Sequence, residues 1–233
     1  MGVTVRVVSY NIRSLRDDPD AVARVVRALR PDVLCLQEVP RFGSWWWQRR
    51  RLARACGMRV AAGRRACGLA VFTAPRVERV AREFHLLSRV PGLHRRALAV
   101  AVLRVDGVPL IAATTHLDLA DEPRLRHAGE ILARLERARA RHRGPLVLTG
   151  DINEEPGGQA WGRLVRHFQD AHAVAPDGDA LTFSAADPAR RIDGVFADRG
   201  VEVLGCGVPA DPELADDYPK ATDHRPVLAR LRL

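Results

Sequence analysis

Lysine is almost missing from this chain of 233 residues: Lys220 is the only one, and the other 36 basic residues are arginines. With abundant alanine beside it, that bias reads as genome composition. The formal net charge of +9 is therefore permissive; a basic surface draws phosphorylated polymers or anionic lipid, yet these arginines are scattered along the chain. Cysteine is scarce and unpatterned. Cys35, Cys56, Cys67 and Cys206 form no CxxC, which argues against a zinc site or a disulfide framework and leaves small buried hydrophobes in a reducing compartment. No apolar run approaches the roughly 18 residues of a membrane span, and no charged-then-apolar signal order precedes the strand-like stretch from Val3 to Tyr10. Low-complexity tracts, solenoid-period repeats and Gly/Ser linkers are also lacking. With 47 % hydrophobic content, the expectation is one cytoplasmic domain over residues 1–233, monomeric.

What the chain does have is a set of short apolar runs that each stop at a polar residue. Leu146-Val147-Leu148-Thr149 reads as a buried strand, then Gly150-Asp151-Ile152-Asn153 delivers an acid and an amide two residues apart. On an extended chain both would point the same way, which suits a water or metal ion beside an anionic oxygen; a turn-forming Asx pair would look the same. Val3 to Val8 ends in Ser9-Tyr10-Asn11, and Val33 to Leu36 ends in Gln37-Glu38. Between them Val22, Val25, Val26 and Leu29 sit at i, i+3, i+4 and i+7, an amphipathic helix over Asp20 to Leu29. Leu69 to Phe72 is a further strand. Ala97 to Val105 and Val108 to Thr114 flank Asp106-Gly107, a hairpin signal, and the second arm runs into Thr115-His116. Leu125 to Leu135 and the region from Trp161 to Phe168 carry helical spacing. Asp193 precedes a short apolar strand, and Asp223-His224 precede a closing strand.

Glu38 is either a solvated acid or a hard-cation ligand, and a lone histidine such as His116 is more often structural than catalytic. In α/β folds, however, sites gather at strand ends. One run stands apart: Trp45-Trp46-Trp47 beside Arg49-Arg50-Arg51 could stack bases, sit in a membrane lipid interface, or simply start a helix with one or two rings packed inward.

Taken in order, Tyr10-Asn11-Ile12, Leu36-Gln37-Glu38-Val39, Thr115-His116-Leu117, Gly150-Asp151-Ile152-Asn153, Arg191-Ile192-Asp193 and Thr222-Asp223-His224-Arg225-Pro226-Val227 resemble the endonuclease/exonuclease/phosphatase superfamily over residues 3–233. The resemblance implies an α/β fold, a four-layer α/β/β/α sandwich of two packed mixed sheets like that of deoxyribonuclease I. It also implies hydrolysis of a phosphate ester with Mg²⁺ or Mn²⁺, of the phosphodiesterase or nuclease type. Glu38 matches the principal metal ligand, Asn11 the amide beside it that touches metal or phosphate, and Asp223 an acid at a second metal position. Asp151 matches the group that orients and deprotonates the attacking water, with Asn153 hydrogen-bonded to it or to the phosphate. His224, held by Asp193, matches the histidine that stabilises charge at phosphorus, and His116 one near the leaving group.

The mid-chain tyrosine typical of apurinic-site repair members is missing, as are the long insertions of inositol polyphosphate phosphatases. Gly194 replaces a frequent aromatic and is expected to open the pocket. A phosphatase or phospholipase-C-like esterase acting on a lipid or small metabolite is the alternative within the class; a non-catalytic module that holds nucleic acid or membrane is the alternative outside it.

Overall fold

The computed structural model describes residues 2–233. In chain order the strands and helices are β1 (Thr4–Asn11), α1 (Pro19–Leu29), β2 (Val33–Gln37), α2 (Trp45–Ala55), β3 (Arg59–Gly63), β4 (Ala70–Thr73), β5 (Val77–Leu86), β6 (Ala97–Val105) and β7 (Val108–His116). Then follow α3 (Asp121–His142), β8 (Leu146–Asp151), α4 (Gln159–Val165), β9 (Gln169–Asp170), α5 (Ala171–Val174), β10 (Asp193–Ala197), β11 (Glu202–Gly207), α6 (Pro212–Ala215), α7 (Tyr218–Ala221) and β12 (Val227–Arg232). They form two six-stranded mixed sheets, ordered β11-β12-β1-β2-β4-β3 and β5-β6-β7-β8-β10-β9.

Side-chain alternation makes the layers. Val5, Val7, Val33, Cys35, Ala112, Val147 and Val195 meet between the sheets. The residues between them turn outward: Val8, Tyr10, Leu34 and Leu36 pack under α1 and α2, while Ile111, Leu148 and Phe196 pack under α3 and α4. Two sheets face to face with helices on both outer faces give the expected α/β/β/α sandwich. Helix α1 is set by local chemistry: the Asp18 carboxylate accepts from the amides of Asp20 (2.8 Å) and Ala21 (3.1 Å), Pro19 opens the first turn, and Arg30 closes it in the left-handed region. At the β6–β7 turn Asp106 and Gly107 both have positive φ (48° and 85°), as a two-residue hairpin requires.

The eight strands read from apolar runs are all present and occupy the interior of the two sheets. The four that carry no clear sequence signal, β3, β5, β9 and β11, are the four sheet edges. Edge strands bury one flank only and are blunted by charge and bulges; β5 reads Val-Glu-Arg-Val-Ala-Arg-Glu and slips register between Arg79 and Ala81, and β11 slips between Val203 and Gly205. Helix α2 does begin at the tryptophan run. Trp45 is half-buried, but Trp46 and Trp47 remain 53 % and 50 % exposed, so the ring packing expected there is limited to one indole. Among the described residues no helix is long and apolar enough to cross a membrane.

Candidate active site

The parity that fills the layer between the sheets also builds the site at its open end. Counting outward by twos from core positions, Val7 leads to Ser9 and Asn11, Ala112 to Thr114 and His116, Val147 to Thr149 and Asp151, and Val195 back to Asp193. Register then aligns them: His116 pairs with Asp151 across parallel β7 and β8, and Asp151 with Asp193 across antiparallel β8 and β10. Gly150 permits this close pairing, because a Cβ there would lie 2.5 Å from the Thr115 carbonyl oxygen. One layer deeper, the Gln37 amide donates to Ser9 Oγ (3.2 Å) and Thr114 Oγ1 (2.8 Å), tying the two sheets together beneath the floor.

Asp151 is the hub. Its Oδ2 accepts from Asn11 Nδ2 at 3.0 Å, and its Oδ1 from the Asn153 backbone N–H at 3.0 Å. The Nε2 atoms of His116 and His224 approach Oδ2 to 3.4 and 3.7 Å. Behind His224, Asp193 Oδ2 lies 2.8 Å from Nδ1, and the Phe183 ring packs against the imidazole with centroids 5.0 Å apart.

The two histidines are driven in opposite directions. Burial drives the pKa of His116 down to about 4, so its ring is neutral. Burial also pulls His224 down, but the carboxylates of Asp193, Asp151 and Asp223 outweigh it and raise the pKa to about 10. Burial raises the Asp151 carboxyl, with Asp193 adding to the effect against the pull of the histidines.

Glu38 reaches the cleft by breaking parity. Leu34 and Leu36 face the helices, so a continued strand would send Glu38 the same way. Instead its φ of 52° turns the chain, and Glu38 Oε1 comes to 3.3 Å from Asn11 Nδ2 and 4.0 Å from His116 Nδ1. Opposite it, a left-handed turn over Arg13–Leu15 is pinned by Ser14 N–H donating to the Glu38 carbonyl (2.6 Å).

Several expectations shift. Asn153 is not on an extended chain with Asp151: β8 stops at Asp151, Asn153 has φ 55°, and its side-chain amide donates to the Leu117 carbonyl (3.0 Å), leaving the backbone N–H to hold Asp151. Asn11 accepts the Arg13 N–H on Oδ1 (3.1 Å), so its N–H₂, not its oxygen, faces the acids. Asp223 carries an ion pair, with Arg13 Nε 3.3 Å from its carboxylate. Gly194 does not open the pocket either. It faces the outer layer, where a Cβ would lie within 2.9 Å of Phe196 and Trp161.

The cleft holds about 380 Å³ and is walled by Glu38, His116, Asp151, Asn153 and His224, with Arg16, Arg41, Arg95 and Arg96 around them. The arginines and Phe183 carried no pattern in the sequence that set them apart; only contact in space does. Oxygen donors dominate the floor, and Glu38, its side chain 39 % exposed, is the carboxylate open to the cleft without a hydrogen-bonded imidazole partner. That donor chemistry fits a hard divalent cation at the Glu38 end. Asp151, Asp193 and His224 are also close enough to share one ion, but a cationic His224 hydrogen-bonded to Asp193 makes that trio a proton-holding unit rather than a ligand set.

A family model described as the endonuclease/exonuclease/phosphatase family matches residues 8–224. No curated protein matches the sequence. Among solved structures, the endonuclease/exonuclease/phosphatase from Bacteroides vulgatus is 23 % identical with TM-score 0.82, covering 99 % of each chain. A mannosyl-6-phosphatase of Bacteroides thetaiotaomicron is 20 % identical with TM-score 0.83, covering 97 % of this chain and 99 % of its own. The human Nocturnin catalytic domain with bound sulfate is 17 % identical with TM-score 0.76, covering 99 % of this chain and 96 % of its own. At these identities the structural likeness speaks for the fold.

Proposed function

This chain belongs to the endonuclease/exonuclease/phosphatase family, and from that premise we propose that residues 1–233 form one metal-dependent phosphodiesterase domain of the nuclease type. The observation that carries the reading is the convergence of Asn11, His116 and His224 on a buried Asp151 at the mouth of the layer between the sheets.

Asp151 takes the proton of the attacking water. Its burial-raised pKa makes it a better base than a solvated carboxylate, while the Asn11 amide and the Asn153 N–H fix its orientation. As the water oxygen bonds to phosphorus and the opposite P–O bond breaks, charge grows on the phosphoryl oxygens. The His224 imidazolium, kept protonated and aimed by Asp193, donates to that charge. His116 is neutral, so it serves the leaving oxygen as a hydrogen-bond donor without a proton to spare. Glu38 would hold Mg²⁺ or Mn²⁺, which when bound supplies neutralisation of the phosphate anion. Asn11 enters this scheme through its N–H₂ rather than as a metal ligand, and Asp223, engaged by Arg13, acts on the floor only through the charge it places near His224.

The test is hydrolysis of bis(p-nitrophenyl) phosphate, plasmid DNA, RNA and phospholipids by wild type and Asp151→Asn, with Mg²⁺, with Mn²⁺ and with EDTA. Metal-dependent cleavage of a diester, reduced by about 10²–10⁴-fold in the variant, is expected. Activity on monoesters alone would replace the diesterase reading with a phosphatase; activity untouched by Asp151→Asn would remove the assigned base.

A further inference from the structure

Eight large apolar side chains are conspicuously exposed among the described residues; Leu119 lines the cleft, and Phe42 and Leu93 belong to segments that line it. They come from three separate segments. Leu119, 75 % exposed, lines the cleft itself; Leu93 immediately precedes His94, Arg95 and Arg96 on its wall; Phe42, 70 % exposed, follows the cleft residue Arg41, whose guanidinium lies 5.3 Å from the Phe42 ring. Trp46 and Trp47, exposed on the first turn of α2, line a groove of their own with Arg50, Arg51 and Arg54. Chance scatter of surface apolar residues needs no explanation, but convergence of three segments on one rim does.

Helix α2 contributes charge of one sign to this surface; the acids near it are Asp20, in one groove with Trp47, and Asp121 and Glu122, which follow Leu119 and lie within 4 Å of Arg124 and Arg126. Helix α2 carries no acid, and Arg50, Arg51 and Arg54 are exposed with no ion pair among the described residues. Arg50 lies over the Trp46 ring at 5.5 Å and Arg51 over Trp47 at 5.6 Å. Single-stranded nucleic acid would ask for free aromatic faces on which bases stack. Here one guanidinium lies over each of the two exposed indoles, and Leu93 and Leu119 offer no π-face at all. What these aliphatic and aromatic groups gain, they gain by leaving water for hydrocarbon, with arginines level with headgroup phosphates.

We infer that this rim docks the protein on an anionic lipid bilayer, with Phe42, Trp46, Trp47, Leu93 and Leu119 in the interface and Arg50 and Arg51 on the phosphates. The mouth of the cleft then faces the membrane surface. The inference concerns binding and stands whether or not the reaction proposed above is correct.

The test is co-sedimentation of the full chain with phosphatidylcholine vesicles, alone or with roughly 30 mol % phosphatidylglycerol, for wild type, Phe42→Ala/Trp46→Ala/Trp47→Ala and Arg50→Gln/Arg51→Gln. Wild type should bind the anionic vesicles and not the neutral ones; each arginine removed should weaken binding about fivefold, and the aromatic variant should lose it. All five substituted side chains are exposed, so unchanged thermal melting is expected. In wild type, brominated lipids should quench tryptophan emission. Wild type that ignores anionic vesicles, an aromatic variant that binds as well as wild type, or binding to single-stranded DNA in place of vesicles would each overturn the inference. Hydrolysis of soluble bis(p-nitrophenyl) phosphate, followed in parallel, should be the same in the aromatic variant as in wild type; loss of hydrolysis in wild type itself speaks to the reaction and leaves the vesicle result intact.

Discussion

The two sheets deliver their polar groups to the cleft in different ways. The second sheet does it by register: His116, Asp151 and Asp193 sit on three neighbouring strands, in ladder pairs, as the next inward positions after core residues. The first sheet does it by both routes: Asn11 follows parity from Val7, but Glu38 enters only because its φ of 52° turns the chain as β2 ends, beside a turn in which Arg13, Ser14 and Leu15 all have positive φ. The first arrangement is rigid and cannot be adjusted one group at a time. The second is local, and its members can change without disturbing the layer between the sheets.

If that contrast is right, the largest effect should come from the register-built side. Asp193→Asn removes a partner of the buried His224 and should cost about 3–5 kcal/mol of stability near neutral pH, read by urea denaturation. It should also change the pH dependence. His224 has a folded-state pKa raised to about 10, so its contribution is complete below the ordinary histidine range and is lost as pH rises through about 10. His116 works the other way: its pKa is lowered to about 4, and the penalty it imposes appears as pH falls from the ordinary histidine range toward 4. Wild type should therefore lose stability on the alkaline side with a slope that Asp193→Asn flattens, while the acid side keeps its slope. An unchanged alkaline slope would mean that Asp193 does not hold the proton on His224.

An intermediate effect is expected from Glu38→Gln on the locally built side. Because the side chain is 39 % exposed, stability should move by no more than about 0.5 kcal/mol. The Mg²⁺ concentration giving half-maximal activity should rise several-fold. Loss of folding with unchanged metal response would reverse the roles assigned to the two sides. The smallest effect belongs to Ser14→Gly: relief of one left-handed residue should change stability by about 1 kcal/mol or less, in the stabilising direction, as read by thermal melting.

The same distinction explains how far the sequence could be read. Interior strands such as β6, β7 and β8 are buried on both faces and announce themselves as apolar runs. β5 and β11 are edges, and their charges answer to solvent rather than to a partner strand, so nothing in their composition separates them from loops. At the site, Asn11, His116, Asp151 and Asp193 sit at strand ends, Glu38 and Asn153 just beyond them, and Asp223 and His224 in the connection before β12. What stayed hidden was orientation: which atom of Asn11 faces the acids is decided by the Arg13 amide, and which partner Asp223 takes is decided by Arg13's guanidinium. Asn153 leaves the line of Asp151 because alternation holds only while the strand lasts, and β8 ends at Asp151. The arginine rim shows no sequence pattern because it is gathered from three separate connections, β1–α1, β2–α2 and β5–β6.

Two-residue alternation also bears on how such a chain can change length over evolutionary time. Inserting or deleting one residue within β7, β8 or β10 would exchange the faces beyond that point, trading Asp151 for Gly150 or Asp193 for Gly194 and exposing core in the process. The connections carry no such constraint. New length, and with it new substrate contacts, is free to enter only between strands, while the strand interiors are held to substitution alone.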